Sequence, residues 1–259
     1  MSASPDRADN RHLIFIHGGG VGPWMWCPQR DFFDGAYRVH TPFLPGHNPD
    51  ASDDFTPHAA AARSIAEQTG LEQITGDVTV IGFSAGGQIA IELAAAYPER
   101  ITRAVVTSSL LHPLAGGRVL AGIAAAAAPL GRLRGFAQAQ AKQLYVSDPD
   151  FDQYFDLSRS ISTTTLFNLM RANFSFRVPD SFRTHSRPTL LLAGAREQRS
   201  LIRGMKQLNA ELSDSRFDVV EGVAHGIPLA QPERFAMLLD SWLAALEGRP
   251  ARDAASRPQ

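Results

Sequence analysis

Six short, β-branched apolar runs recur along the chain with helical patterns between them, and this alternation limits the possible folds more than any other feature. The runs are LIFI (13–16), YRVHT (37–41), VTVIG (78–82), RAVVTS (103–108), TLLLA (189–193) and FDVV (217–220). Strands that alternate with helices argue for βαβ units and a parallel sheet. Between the second and third runs, TPHAAAARSIAEQTG predicts a helix with Thr56 as N-cap, Pro57 at its first position and Gly70 as its stop. After Ser84, the side chains of Ile89, Leu93 and Tyr97 share one helical face, and Pro98 ends that helix. A last amphipathic helix is predicted from about Pro232 to Leu246, burying Phe235, Leu238, Leu239 and Trp242.

From about 113 to 186 the strand signal disappears, and an alanine-rich then aromatic-rich stretch reads as a helical insertion. The expected organisation is a core of 11–112 and 187–247, an insertion of 113–186, and flexible tails at 1–10 and 248–259. A length of 259 residues suits one large α/β domain carrying such an insertion. A net charge of -1 gives no electrostatic case for nucleic acid or an anionic membrane as partner. The single cysteine, Cys27, excludes an internal disulfide and any cysteine-rich metal site. The opening MSASPDRADN has no apolar signal region, and the most apolar stretch (119–131) is broken by Gly122 and Pro129. A cytoplasmic protein is the resulting expectation.

Within VIGFSAGGQIA (80–90), Gly82, Ser84 and Gly86 form a G-x-S-x-G pattern between a predicted strand and a predicted helix. A turn that sharp strains the serine backbone and requires neighbours without bulk, and it presents the hydroxyl at a helix N-terminus. A serine hydroxyl is a weak nucleophile at neutral pH and needs a base. Of eight histidines, His225 lies on a glycine-flanked loop between the last strand and the last helix, where parallel sheets build their sites. His12, His40, His58, His112 and His185 lack that setting and read as surface or capping residues. The base in turn needs a carboxylate to fix its tautomer, and Glu197 stands three residues past Gly194 after the fifth strand. The end of the fourth strand, VVTSSLLH, has no carboxylate, and Glu221 is too close to His225 in sequence to be favoured.

The order Ser84, Glu197, His225 resembles the nucleophile–acid–base series of the α/β-hydrolase superfamily. IFIHGGGVGPW resembles that superfamily's oxyanion loop, PFLPGHN (42–48) its Pro-Gly-His segment, and YPERI (97–101) the stretch after its nucleophile helix. The likeness covers roughly 11–112 and 187–246; in the insertion only the position matches. It implies an α/β-hydrolase fold with a mostly parallel sheet of about six strands, flanked by helices and carrying a helical cap. Carried over by position, one oxyanion donor is the backbone N–H of Gly19, with Gly20 beside it as the alternative, and the other is that of Ala85. His17 reads as an organiser of the loop rather than a proton carrier. Two departures stand out: the acid is glutamate where the family more often has aspartate, and the sheet begins directly at the oxyanion-loop strand.

The expected activity is a serine hydrolase cleaving a carboxylic ester or thioester of a small apolar or aromatic substrate, with no cofactor and no metal. Trp24, Met25 and Trp26, with the aromatics of the insertion, are expected to frame an apolar pocket, although many of these side chains belong to a core. The same three residues could instead serve carbon–carbon hydrolysis or a cofactor-free lyase, and the fold also hosts receptors that catalyse nothing. Oligomeric state is not legible.

Overall fold

Side chains of β1 (Arg11–Ile16) alternate between two apolar layers, Leu13 and Phe15 on one face and Ile14 and Ile16 on the other, all fully buried. Both faces of this strand are therefore covered, as a parallel sheet requires. The computed structural model describes residues 10–184 and 186–252. Five further strands follow: β2 (Arg38–His40), β3 (Asp77–Phe83), β4 (Ile101–Thr107), β5 (Thr189–Gly194) and β6 (Ser215–Val220). They form one sheet in the order β2-β1-β3-β4-β5-β6, every neighbouring pair parallel. All six apolar runs of the sequence are strands, and the fold is the expected six-stranded α/β-hydrolase architecture.

The helices are α1 (Cys27–Phe33), α2 (His58–Thr69), α3 (Ala85–Ala96), α4 (Gly117–Ala126), α5 (Arg134–Gln143), α6 (Phe151–Ser160), α7 (Thr163–Ser175), α8 (Arg199–Glu211) and α9 (Pro232–Glu247), joined by shorter helical turns. One face of the sheet packs on α2, α3 and α8 through Ile65, Ile89, Leu93, Met205 and Leu208. The other packs on α1 and α9 through Phe33, Phe235, Leu239, Trp242 and Leu243. Between β4 and β5, α4 packs on α7 and α5 on α6. This four-helix segment is what the strandless stretch of the sequence becomes.

Two local expectations change. Thr56 does not cap α2: Pro57 takes the cap position, and the Thr56 hydroxyl is buried without a partner. Gly70 stops the helix as expected, in the left-handed conformation with φ of 62°. Part of the expected C-terminal tail is tied down. Arg249 pairs with Asp240 at 2.7 Å, and the Arg252 amide donates to the same carboxylate at 2.6 Å. Residues 1–9 and 253–259 of the two expected tails, and His185, lie outside the described residues.

Candidate active site

Three strand ends deliver the three candidate residues to the carboxyl edge of the sheet. The chain leaves β3 at Phe83 and enters α3 at Ala85, so Ser84 makes the whole reversal. Its φ of 56° and ψ of -119° lie outside the regions ordinary residues populate, a strain of about 1–3 kcal/mol. The surroundings enforce it: the Ser84 amide donates to Thr107 O at 2.8 Å, and the buried Ser109 hydroxyl donates to Ser84 O at 2.8 Å. Gly86 is required by close approach, because a Cβ there would overlap the carbonyl oxygens of Ile16 and His17.

Glu197 and His225 are brought together by the paired ends of β5 and β6. Ala195 and Arg196 donate to Val220 O and Val223 O, both at 2.9 Å. Gly194 admits the incoming loop, since a Cβ at that point would overlap the carbonyl oxygen of Ala224. Ser84 Oγ then lies 3.0 Å from His225 Nε2, and His225 Nδ1 lies 3.2 Å from Glu197 Oε2. The network assigns one tautomer: Nδ1–H donates to the carboxylate, and Nε2 accepts from the serine hydroxyl. The Glu197 side chain is 2% exposed and that of His225 37%, so the carboxylate is sequestered while the imidazole faces the site. The Glu221 alternative is an exposed residue whose carbonyl takes Arg234.

The segment expected to form the oxyanion loop sits against this centre. A Cβ at Gly18 would lie 3.3 Å from Ser84 Cβ, and one at Gly19 would meet the Leu169 side chain of α7. The Gly20 amide is already engaged, donating to His47 Nε2 at 3.2 Å, which leaves Gly19 as the better of the two donor candidates. Ala85 opens α3, where amides have no intrahelical acceptor. His17 is fully buried, with Nδ1 donating to Gly18 O at 2.8 Å and Nε2 accepting from the Leu44 amide at 3.1 Å. Burial, with His47 nearby, lowers its pKa to about 3, so at neutral pH it is an uncharged strut. Burial likewise lowers His47 to about 4.

These two imidazoles make the fold acid-sensitive. The unfolded chain takes up protons at both below about pH 6.5, whereas the folded chain does so only near 3 and 4. Stability is therefore independent of them above about pH 6.5 and declines as the pH falls from there. The thermal midpoint at pH 5 is expected below that at pH 7, and equal midpoints would contradict this.

Of the expected pocket residues, Met25 and Trp26 belong to the core. They are 2% and 0% exposed, and the Trp26 ring packs 5.0 Å from Phe15 and 5.9 Å from Phe235. Only Trp24 is partly exposed, beside Gly22, where a Cβ would also meet Leu157. The position after an oxyanion loop gives no sign of which indole turns outward. His12 and His58 are buried rather than on the surface, His12 stacked on His40 and His58 against Phe176. Several residues at the site have no signal in the sequence. Phe83 places its ring 5.0 Å from that of His225, Ser109 braces the elbow, and His47 holds Gly20. The Pro-Gly-His likeness pointed only to the segment that holds His47.

Residues 13–238 match the model of the alpha/beta hydrolase family. The chain belongs to that family. Among curated relatives of this family member, a pimeloyl-[acyl-carrier protein] methyl ester esterase of Neisseria meningitidis is 28% identical over 88% of this chain and 91% of that protein. A protein of the same name from Aromatoleum aromaticum is 32% identical over a shorter stretch, 36% of this chain and 35% of that protein. Among solved structures, a thermophilic esterase from Thermogutta terrifontis has a TM-score of 0.75 at 21% identity, covering 92% of this chain and 90% of that one. MenH from S. aureus has a TM-score of 0.75 at 19% identity, covering 92% and 95%. At these identities the solved structures speak for the fold alone.

Proposed function

We propose that the protein is a serine hydrolase that cleaves a carboxylic ester or thioester with an apolar or aromatic acyl group. The observation that carries this reading is the continuous hydrogen-bonded series from Ser84 Oγ through His225 to Glu197. The curated relatives are themselves named as ester-cleaving enzymes, which supports the same reaction class here.

Ser84 Oγ attacks the carbonyl carbon while its proton passes to His225 Nε2. The displaced C=O electron pair settles on oxygen, held by the backbone N–H groups of Gly19 and Ala85. Collapse of this intermediate expels the alkoxide or thiolate, which takes the proton from Nε2 and leaves an acyl ester on Ser84. A water molecule then gives its proton to Nε2 and attacks the acyl carbon. The second collapse returns the proton to Ser84 Oγ and frees the carboxylic acid. Glu197 accepts the Nδ1–H hydrogen bond of His225 and stabilises the imidazolium formed in each half.

The apolar preference rests on what stands over the site: Leu169 against Gly19, Leu157 against Gly22, and the partly exposed Trp24. In a panel of p-nitrophenyl esters and acyl thioesters of increasing acyl length, kcat/KM is expected to rise with apolar acyl size. Each buried methylene contributes about 0.8 kcal/mol, which is roughly fourfold. No turnover of any ester or thioester above the uncatalysed rate would contradict the reading.

A further inference from the structure

Three non-glycine residues among those described have positive φ: Ser84, Ser108 and Tyr145. Ser84 is the candidate nucleophile, and Ser108 follows β4 beside the serine that braces it. Tyr145 lies in the insertion, just past α5, with φ of 60°. That conformation is costly for a bulky aromatic residue and persists only where the surroundings demand it.

The demand comes from the His225 loop. The Tyr145 phenolic oxygen accepts the amide N–H of Ala224, the residue before His225, at 3.2 Å. On the other side of the histidine, a Cβ at Gly226 would lie 3.0 Å from Leu144 O and 3.3 Å from Tyr145 Cδ2. The insertion therefore grips the histidine's two neighbours, one by a hydrogen bond and one by close packing. The loop itself carries left-handed glycines at Gly222 (φ 86°) and Gly226 (φ 110°), conformations with little steric preference of their own. Its placement depends on contacts such as these. Glu197 orients the imidazole through Nδ1, but a rigid backbone is also needed to hold Nε2 at 3.0 Å from Ser84 Oγ.

We propose that Tyr145 is a positioning residue for His225, which it holds in register with Ser84 by fixing the backbone on both sides of the histidine. The inference rests on His225 acting as the base for Ser84. It makes the seating of the insertion part of the catalytic geometry.

The test compares wild type with Tyr145→Phe, which keeps the ring and removes the acceptor. The readouts are the second-order rate of Ser84 phosphonylation by a fluorophosphonate, kcat and KM for an aryl ester, and the thermal midpoint. Phosphonylation and kcat are expected to fall roughly 5- to 20-fold, the range expected for losing one orienting hydrogen bond, with KM within about twofold. A purely structural role would lower the midpoint and leave both rates unchanged at temperatures well below it. Rates within about twofold of wild type in a folded Tyr145→Phe chain overturn the proposal. Should that variant not fold, amide hydrogen exchange in wild type decides. The Ala224 amide is expected to be protected at least tenfold over a free amide, and unprotected exchange overturns the proposal. A wild-type chain whose Ser84 takes no label would instead overturn the serine-hydrolase reading, so the two failures are distinguishable.

Discussion

Replacing Ser84 with alanine is expected to lower kcat/KM for a cleaved aryl ester by about 10⁴-fold or more. The variant keeps the fold. The strained turn is set by backbone contacts to Thr107 and Ser109 that do not involve the hydroxyl, and alanine tolerates the conformation no worse than serine. What disappears is the atom that forms the acyl ester in the proposed mechanism. The remaining oxyanion amides and binding surface still favour attack by water, which sets a low residual rate. Rates measured with the thermal midpoint held near wild type separate this loss from unfolding. A difference below about tenfold would show that Ser84 is not the nucleophile and would favour chemistry that does not pass through an acyl-enzyme.

The second large effect is at Glu197. Substitution by glutamine is expected to lower kcat by about 10³- to 10⁴-fold, with little change in KM. The amide is nearly isosteric, but it carries no charge to stabilise the imidazolium. Its NH₂ can also donate to Nδ1, which would favour the tautomer whose Nε2 already carries a proton and cannot accept one from Ser84. Glu197→Asp tests reach rather than charge. The carboxylate would stop short of Nδ1, now 3.2 Å away, and a misplacement of this order costs roughly 10²-fold. Recovery of activity in the aspartate variant relative to glutamine identifies the charge as the essential part. More than a tenth of wild-type kcat in Glu197→Gln would place the orienting acid elsewhere.

The sheet was legible because strands buried on both faces must be nearly continuous apolar runs, a pattern with few alternatives in 259 residues. The candidate triad was legible for a related reason: each member stands just past a strand, where topology restricts position. Met25 and Trp26 were misplaced because a short helical turn after the oxyanion loop sends consecutive side chains in different directions, and the sequence does not show which indole faces the core. Thr56 failed as a cap because the helix starts one residue later than the cap pattern implied, with Pro57 outside it. Tyr145, His47 and Leu169 were illegible for a deeper reason. Their roles arise from contacts across folded segments, such as the hydrogen bond from Ala224 to Tyr145, and no local pattern encodes them. The insertion's helices could be expected from composition, but which of its side chains touch the candidate-site loops depends on how it seats on the core.

The central claim is that Ser84 is an activated nucleophile, and fluorophosphonate labelling followed by peptide mass spectrometry tests it without knowledge of the natural substrate. The probe's phosphorus takes the place of the ester carbonyl carbon and fluoride leaves, so a stable adduct reports attack by an activated hydroxyl. The account predicts one adduct per chain, on the peptide containing Ser84, and none in a folded His225→Ala variant over the same interval. A folded wild-type chain that stays unlabelled, or that carries the adduct on another residue, would contradict it.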